Sequence, residues 1–135
     1  MTLTANRNTP RRFGDIVTLG IAAAVVIYAG ALVARDANGN ATPGATATTL
    51  RGVGRARERY DNTGGAANAL NVDIEKGIYR YKNSADADAI TTANIGADCY
   101  IVDDETVALT NGGNTRSVAG KIHDVDAEGV WVDFR

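Results

Sequence analysis

The most constraining feature of this sequence is an uncharged run of 19 residues from Ile16 to Ala34. About 20 apolar residues span a bilayer, so a membrane helix is one interpretation. However, the run contains two glycines and six alanines, and its larger side chains are mostly β-branched, which favours strands. It also leads directly into the turn sequence from Asp36 to Gly39. We therefore expect two or three short buried strands here, with a single membrane span as the alternative.

The rest of the chain shows short apolar runs separated by turn residues. The runs recur at intervals of roughly 8–12 residues, which is typical of a β-sandwich or barrel. Only residues 91–96 indicate a helix, and they have room for a single turn. With 135 residues there is space for one domain with a modest core. The sequence thus predicts a mainly β fold: a compact β-barrel or sandwich over residues 14–135, with an extended N-terminal arm over residues 1–13.

Alternation of apolar and polar residues identifies the half-buried strands. Leu70, Val72 and Ile74 fall on one face of a predicted strand, with polar residues between them. In the last predicted strand, Trp131 alternates with valines and therefore lies on the outer face. Such a tryptophan either covers the end of the domain or contacts another subunit, and the pattern leaves both roles open.

The side chains offer little for catalysis or metal binding. A single Cys and a single His exclude a disulfide framework and a multi-His metal site. The segment from Asp124 to Gly129 is similar to the start of a calcium loop, but Arg135 stands where the bidentate Glu is needed. Neither His123 nor Cys99 has the local sequence of a nucleophilic site. We expect no enzyme activity, no cofactor and no metal; a carboxylate-based hydrolase is the least favoured alternative.

Charge is distributed unevenly along the chain. Residues 1–82 hold 11 basic and 6 acidic side chains, a net of +5, whereas residues 83–135 hold 3 and 10, a net of −7. Arg51, Arg55, Arg57 and Arg59 have the odd spacing that places side chains on one face of a strand. This row is an ordinary solvent-exposed face, a contact for an acidic face of another subunit, or a nucleic-acid contact. Because the whole chain has a net charge of −2, we expect no nucleic acid as a partner.

The first 12 residues have no hydrophobic periodicity and no apolar cluster. Arg7, Arg11 and Arg12 make this arm positive, and Phe13 follows at its base. A segment with so little apolar surface does not fold alone. We expect it to be mobile in the free protein, to become ordered on a partner, and to be anchored by Phe13.

Several motifs, taken in order, resemble a known family. They are residues 27–41 (IYAGALVARDANGNA), 50–56 (LRGVGRA), 61–65 (DNTGG), 72–79 (VDIEKGIY), 98–104 (DCYIVDD) and 119–126 (AGKIHDVD). Together they are similar to the small capsid decoration, or cement, proteins of tailed bacteriophages, of the kind found in Mu-like phages. Each motif alone consists of residues that are common in β-turns, so the resemblance depends on the order in which the motifs occur.

The resemblance implies a β-rich domain that binds the outside of an assembled icosahedral shell. It implies that the partners are the major capsid protein and further copies of the same chain, which would form a homo-oligomer, specifically a trimer. It also implies a location in the virion, on the outer surface of the capsid. It implies no catalytic residues, and we expect no membrane as a partner. The alternatives are a tail or head-completion protein and, less favoured, a single-span membrane protein with a small β-domain.

Overall fold

The computed structural model describes residues 2–10, 12 and 14–135, and over these residues the fold is mainly β, as predicted. Two short 3-10 helices, Asp86–Asp88 and Thr92–Asn94, are its helical segments in this part of the chain. The strands are β1 (Ile16–Gly20), β2 (Val26–Ile27), β3 (Leu32–Arg35), β4 (Ala41–Pro43), β5 (Arg51–Ala56), β6 (Tyr60–Asp61), β7 (Asn71–Glu75), β8 (Ile78–Tyr81), β9 (Asp98–Ile101), β10 (Val107–Ala108), β11 (Val118–Asp126) and β12 (Gly129–Asp133).

These strands form two five-stranded antiparallel sheets and one two-stranded sheet. The first sheet has the order β1-β7-β5-β3-β4, the second β10-β9-β11-β12-β8, and β2 pairs with β6. A parallel bridge between Ile21 and Ala41 joins the two edges of the first sheet. A second bridge, between Lys82 and Thr106, does the same for the other sheet. Each sheet therefore curls until its edges meet, which leaves fewer unpaired edge groups.

The core consists of two clusters separated by the first sheet. Leu32 and Ala34 of β3 belong to the cluster shared with the second sheet. Val33 points the other way, into the cluster enclosed by the first sheet together with Val72 and Ile74. All three β3 side chains are fully buried, because this strand has an apolar neighbour on both faces. The arrangement is compatible with a sandwich built from two curled sheets.

The segment Ile16–Ala34 forms β1, β2 and most of β3, so the strand prediction for this run is confirmed. The predicted burial is not confirmed for β1, an edge strand whose residues are all partly or fully exposed. Among the described residues there is no helix of the length and apolarity needed to cross a membrane. The predicted turn follows β3: an Asp36 carboxylate oxygen accepts hydrogen bonds from the backbone amides of Asn38 and Asn40, each 2.9 Å long. Gly39 has a φ of 82°, which a glycine adopts without strain.

Some local predictions need correction. Leu70 was expected to share the buried face of Val72 and Ile74, but β7 begins one residue later and Leu70 is 39% exposed. The sequence also did not indicate the short strands β4 and β6, or the first 3-10 helix. The predicted helical turn is present at Thr92–Asn94, with Thr91 as its N-cap and Gly96 at a φ of 94°.

Small residues allow the two sheets to come close together. A Cβ atom added to Gly52 of β5 would overlap three backbone atoms of Ala119 on β11. Within the first sheet, Gly54 lies against the carbonyl group of Glu75 on the neighbouring strand β7. Glycine is required at these positions because the neighbouring atoms are backbone and cannot rotate away.

Candidate interaction surface

The four predicted surface arginines do not share one strand face. Strand β5 ends at Ala56, so Arg57 and Arg59 lie beyond it. Within β5, the pairing with β3 shifts register: Leu32 pairs with Arg55, whereas Arg35 pairs with Arg51. Since Leu32 and Arg35 are three residues apart in β3, they and their partners project from opposite faces. The extra residue at this bulge places Arg51 and Arg55 on opposite faces, whereas simple alternation along a strand places residues four apart on the same face.

Arg55 and Arg57 converge on one carboxylate, that of Glu75. Arg55 donates to a Glu75 carboxylate oxygen at 2.6 Å, and Arg57 approaches the other oxygen at 3.0 Å. The Arg55 hydrogen bond lowers the pKa of Glu75 below its ordinary value, and the same bond raises the pKa of Arg55. The Arg55 guanidinium also lies 4.3 Å from the centre of the Tyr79 ring, a cation–π geometry. Both arginines are thus held by their own chain, and the single carboxylate balances one of their two positive charges.

Arg59 is held in a similar way. It forms an ion pair of 3.5 Å with Asp61, and its guanidinium lies 5.6 Å from the ring centre of Tyr28. The Tyr28 side chain is largely exposed. Hydrogen bonds from the side chain and backbone of Thr63 lower the pKa of Asp61, which keeps this carboxylate charged beside the arginine.

Trp131 lies on the outer face of β12, as predicted, between two fully buried valines. Its indole Nε1 donates to an Asp126 carboxylate oxygen at 2.9 Å. Arg80, its cross-strand neighbour on β8, places its guanidinium 5.5 Å from the ring centre and forms a 2.8 Å ion pair with Glu128. The half-buried tryptophan is therefore fixed in orientation, with part of the ring available to a partner.

The predicted arm residues contribute little defined structure. Residues 2–10 and 12 are exposed and lie outside any strand or helix. Arg7 donates to the hydroxyl of Thr9 at 3.0 Å, and Arg12 is exposed. Arg11 and Phe13 lie outside the described residues.

The structure brings together a set of cations that the sequence analysis did not associate. Strands β1, β3, β5, β11 and β12, together with the residues that directly follow β7 and β12, border an open groove of about 480 Å³, which we call the basic groove. Its charged lining residues are Arg35, Arg51, Lys76, Lys121, Asp133 and Arg135. Val17 and Leu19 of β1 supply an apolar wall. No local pattern could have indicated this groove, because its residues come from five strands spread over most of the chain.

Only part of the charge in the basic groove is balanced. Lys121 pairs with Asp98 at 2.7 Å, and Arg135 pairs with Asp133 at 3.0 Å. By contrast, Arg35, Arg51 and Lys76 form no ion pair with any carboxylate in the part of the chain that the structure describes. The Lys76 ammonium group instead donates to the carbonyl oxygens of Val53 and Phe134.

The residues considered above for catalysis or metal binding lie in a hairpin turn, in the core and on an exposed strand face. In the β11–β12 hairpin, Asp126 accepts hydrogen bonds from the amides of Glu128 and Gly129 as well as from Trp131. Cys99 is fully buried, and burial raises the pKa of its thiol to about 12. His123 is exposed on β11. Over the described ranges, no group of three or more His, Cys, Asp or Glu side chains is arranged to hold a metal ion.

Comparison with known proteins identifies no relative: no family model, no curated protein and no solved structure matches this chain.

Proposed function

We propose that this protein is a non-enzymatic decoration, or cement, protein of a tailed-phage head, which binds the outer surface of the assembled capsid and stabilises it. The observation that carries the proposal is the ordered set of motifs between residues 27 and 126 that resembles such proteins. Its partners are the major capsid protein and further copies of itself, with a trimer as the number that the resemblance implies.

Two aromatic side chains on the surface of the domain support this proposal. Trp131 and Tyr28 are each accompanied by an arginine that lies over the ring. Tryptophan, tyrosine and arginine are the residues that most often dominate binding energies at protein interfaces. Because the tryptophan is also hydrogen-bonded to Asp126, less side-chain freedom is lost when a partner covers it. The surface is thus suited to binding.

Stabilisation of a shell requires no chemistry. A protein that binds the assembled state and not the separate subunits shifts the assembly equilibrium by mass action. Modest contacts suffice, since they are repeated over many symmetry-related copies and an oligomer engages several sites at once.

The test compares particles with and without this chain. Particles stripped of it should rupture at a lower temperature, or under milder osmotic shock, than decorated particles. Adding the purified chain back should restore their resistance, whereas the Trp131→Ala variant should restore less. If stripped and decorated particles are equally robust, the cement function is refuted and a tail or head-completion role becomes the better explanation.

The arm provides a second test of the same proposal. Deleting residues 1–12 should leave the fold intact, because the described arm residues are exposed and outside the sheets. The deletion should weaken binding to particles, since it removes the positive charge of Arg7, Arg11 and Arg12. Co-sedimentation with stripped particles measures this binding, and circular dichroism checks the fold. Unchanged binding would exclude a docking role for the arm.

A further inference from the structure

The basic groove carries an electrostatic cost in the isolated chain. Arg35 and Arg51 are direct cross-strand partners on the same face of the first sheet. Like charges placed directly opposite each other are destabilising in a sheet. Lys76 adds a third cation without a carboxylate partner among the described residues, and all three line the same groove. An anionic group seated between them would remove this repulsion.

An acidic turn at residues 103–105 has the complementary imbalance. Glu105 pairs with Lys82 at 2.6 Å, but Asp103 and Asp104 form no ion pair with any cation in the described ranges. Asp103 is exposed, and its carboxylate accepts the backbone amide of Glu105 at 2.9 Å, which fixes the turn. Partial burial raises the pKa of Asp104, and the negative neighbours Asp103 and Glu105 raise it further. The turn therefore presents unbalanced negative charge.

The two surfaces lie at opposite ends of strand β3. The amide of Leu32, the first residue of β3, donates to the carbonyl oxygen of Asp104 in the acidic turn. Arg35, the last residue of β3, lines the basic groove. Three steps along a strand separate these ends by about 10 Å. No ion pair joins turn and groove within one chain over the described residues. Pairing of the two surfaces thus requires two copies.

We propose that the basic groove binds the acidic turn of a second copy of this chain. The contact is head-to-tail, so each copy offers one groove and one turn, and successive contacts close into a ring or extend into a chain according to the rotation between copies. Val17 and Leu19 in the groove and the half-buried Val102 beside the turn add apolar surface to the charged contact. This inference rests on the proposed self-association of the protein but not on its binding to a shell.

The test measures the mass of the free full-length protein by sedimentation, without particles. At 50 mM NaCl and tens of micromolar protein, the mass should exceed the 14.1 kDa of one chain, and 500 mM NaCl should reduce it because salt screens the contact. Arg51→Glu and Asp103→Lys should each weaken association about tenfold or more. Asp103→Asn keeps an acceptor for the turn and separates loss of charge from loss of the turn. Asp124→Lys makes the same change of charge as Asp103→Lys at an exposed carboxylate that belongs to neither surface, and it should have little effect.

A mixture of two variants gives the sharpest result. Arg51→Glu and Asp103→Lys should each associate weakly when alone. An equal mixture should recover association, because the intact groove of one variant binds the intact turn of the other. Circular dichroism and thermal midpoints establish that each variant is folded. A wild-type chain that is monomeric at low salt, equal association by Arg51→Glu, or no recovery in the mixture would overturn the proposal. So would a monomer whose groove binds DNA or polyglutamate instead. A failure of shell stabilisation alone would leave it intact.

Discussion

Replacing Gly52 by alanine tests whether close packing of the two sheets holds this fold together. The added Cβ would lie 2.7 Å from the Cα atom of Ala119, with the carbonyl oxygen closer still. Carbon atoms pack at about 3.5–4.0 Å, so the strands β5 and β11 must separate by roughly 1 Å. This separation would be transmitted to the apolar cluster between the sheets, where Leu32 and Ala119 are buried.

Two effects of opposite sign determine the size of the change. Overpacking a core costs about 1–3 kcal/mol, and the upper part of that range applies because the atoms that Gly52 meets are backbone. Reducing the freedom of the unfolded chain by Gly→Ala returns about 0.4–1 kcal/mol. We therefore expect Gly52→Ala to lower the free energy of unfolding by about 2 kcal/mol, a decrease of roughly 8 °C in Tm for a domain of this size.

Gly14 offers a matched control. Nothing lies within 4 Å of a Cβ built there, and its φ is compatible with other residues. Gly14→Ala should be neutral or slightly stabilising. Urea denaturation followed by Trp131 fluorescence, at one protein concentration, measures both variants. If Gly52→Ala is as stable as the wild type, the sheets do not depend on this close approach and the reasoning fails.

Three further predictions concern stability and burial. Leu32→Ala should lower the free energy of unfolding by about 2–5 kcal/mol, because Leu32 is fully buried between the sheets, whereas Leu3→Ala, at a side chain 74% exposed, should change it little in the same urea assay. The lowered pKa of Glu75 means that its contribution is present above the ordinary value of 4.5 and is lost as pH falls through the lower folded value; denaturation midpoints should therefore fall in acid, and less so for Glu75→Gln. The thiol of Cys99 should not react with a thiol reagent in the native protein and should react fully in denaturant, since it is buried with a pKa of about 12; rapid native labelling would contradict the burial.

Local patterns in the sequence determined the β character of this protein. Ile16–Ala34 was identified as strands because β-branched residues and turn residues act through neighbouring backbone angles, which do not depend on the rest of the fold. The outward position of Trp131 followed in the same way from alternation along a strand. The turn at Asp36 and the helical turn at Thr91 were also local, since the side-chain oxygens of Asp36 and Asn94 accept backbone amides only a few residues away.

Only the tertiary structure decided how the charges are arranged. The bulge in β5 sends Arg51 and Arg55 to opposite faces, and a bulge depends on the partner strand rather than on the spacing of arginines. The carboxylate that holds Arg55 comes from β7, 20 residues away in sequence. The basic groove brings together Arg35 and Arg135, which are far apart in the sequence, because the two curled sheets meet there. Coulomb interactions depend on distance in space, and a sequence records only distance along the chain.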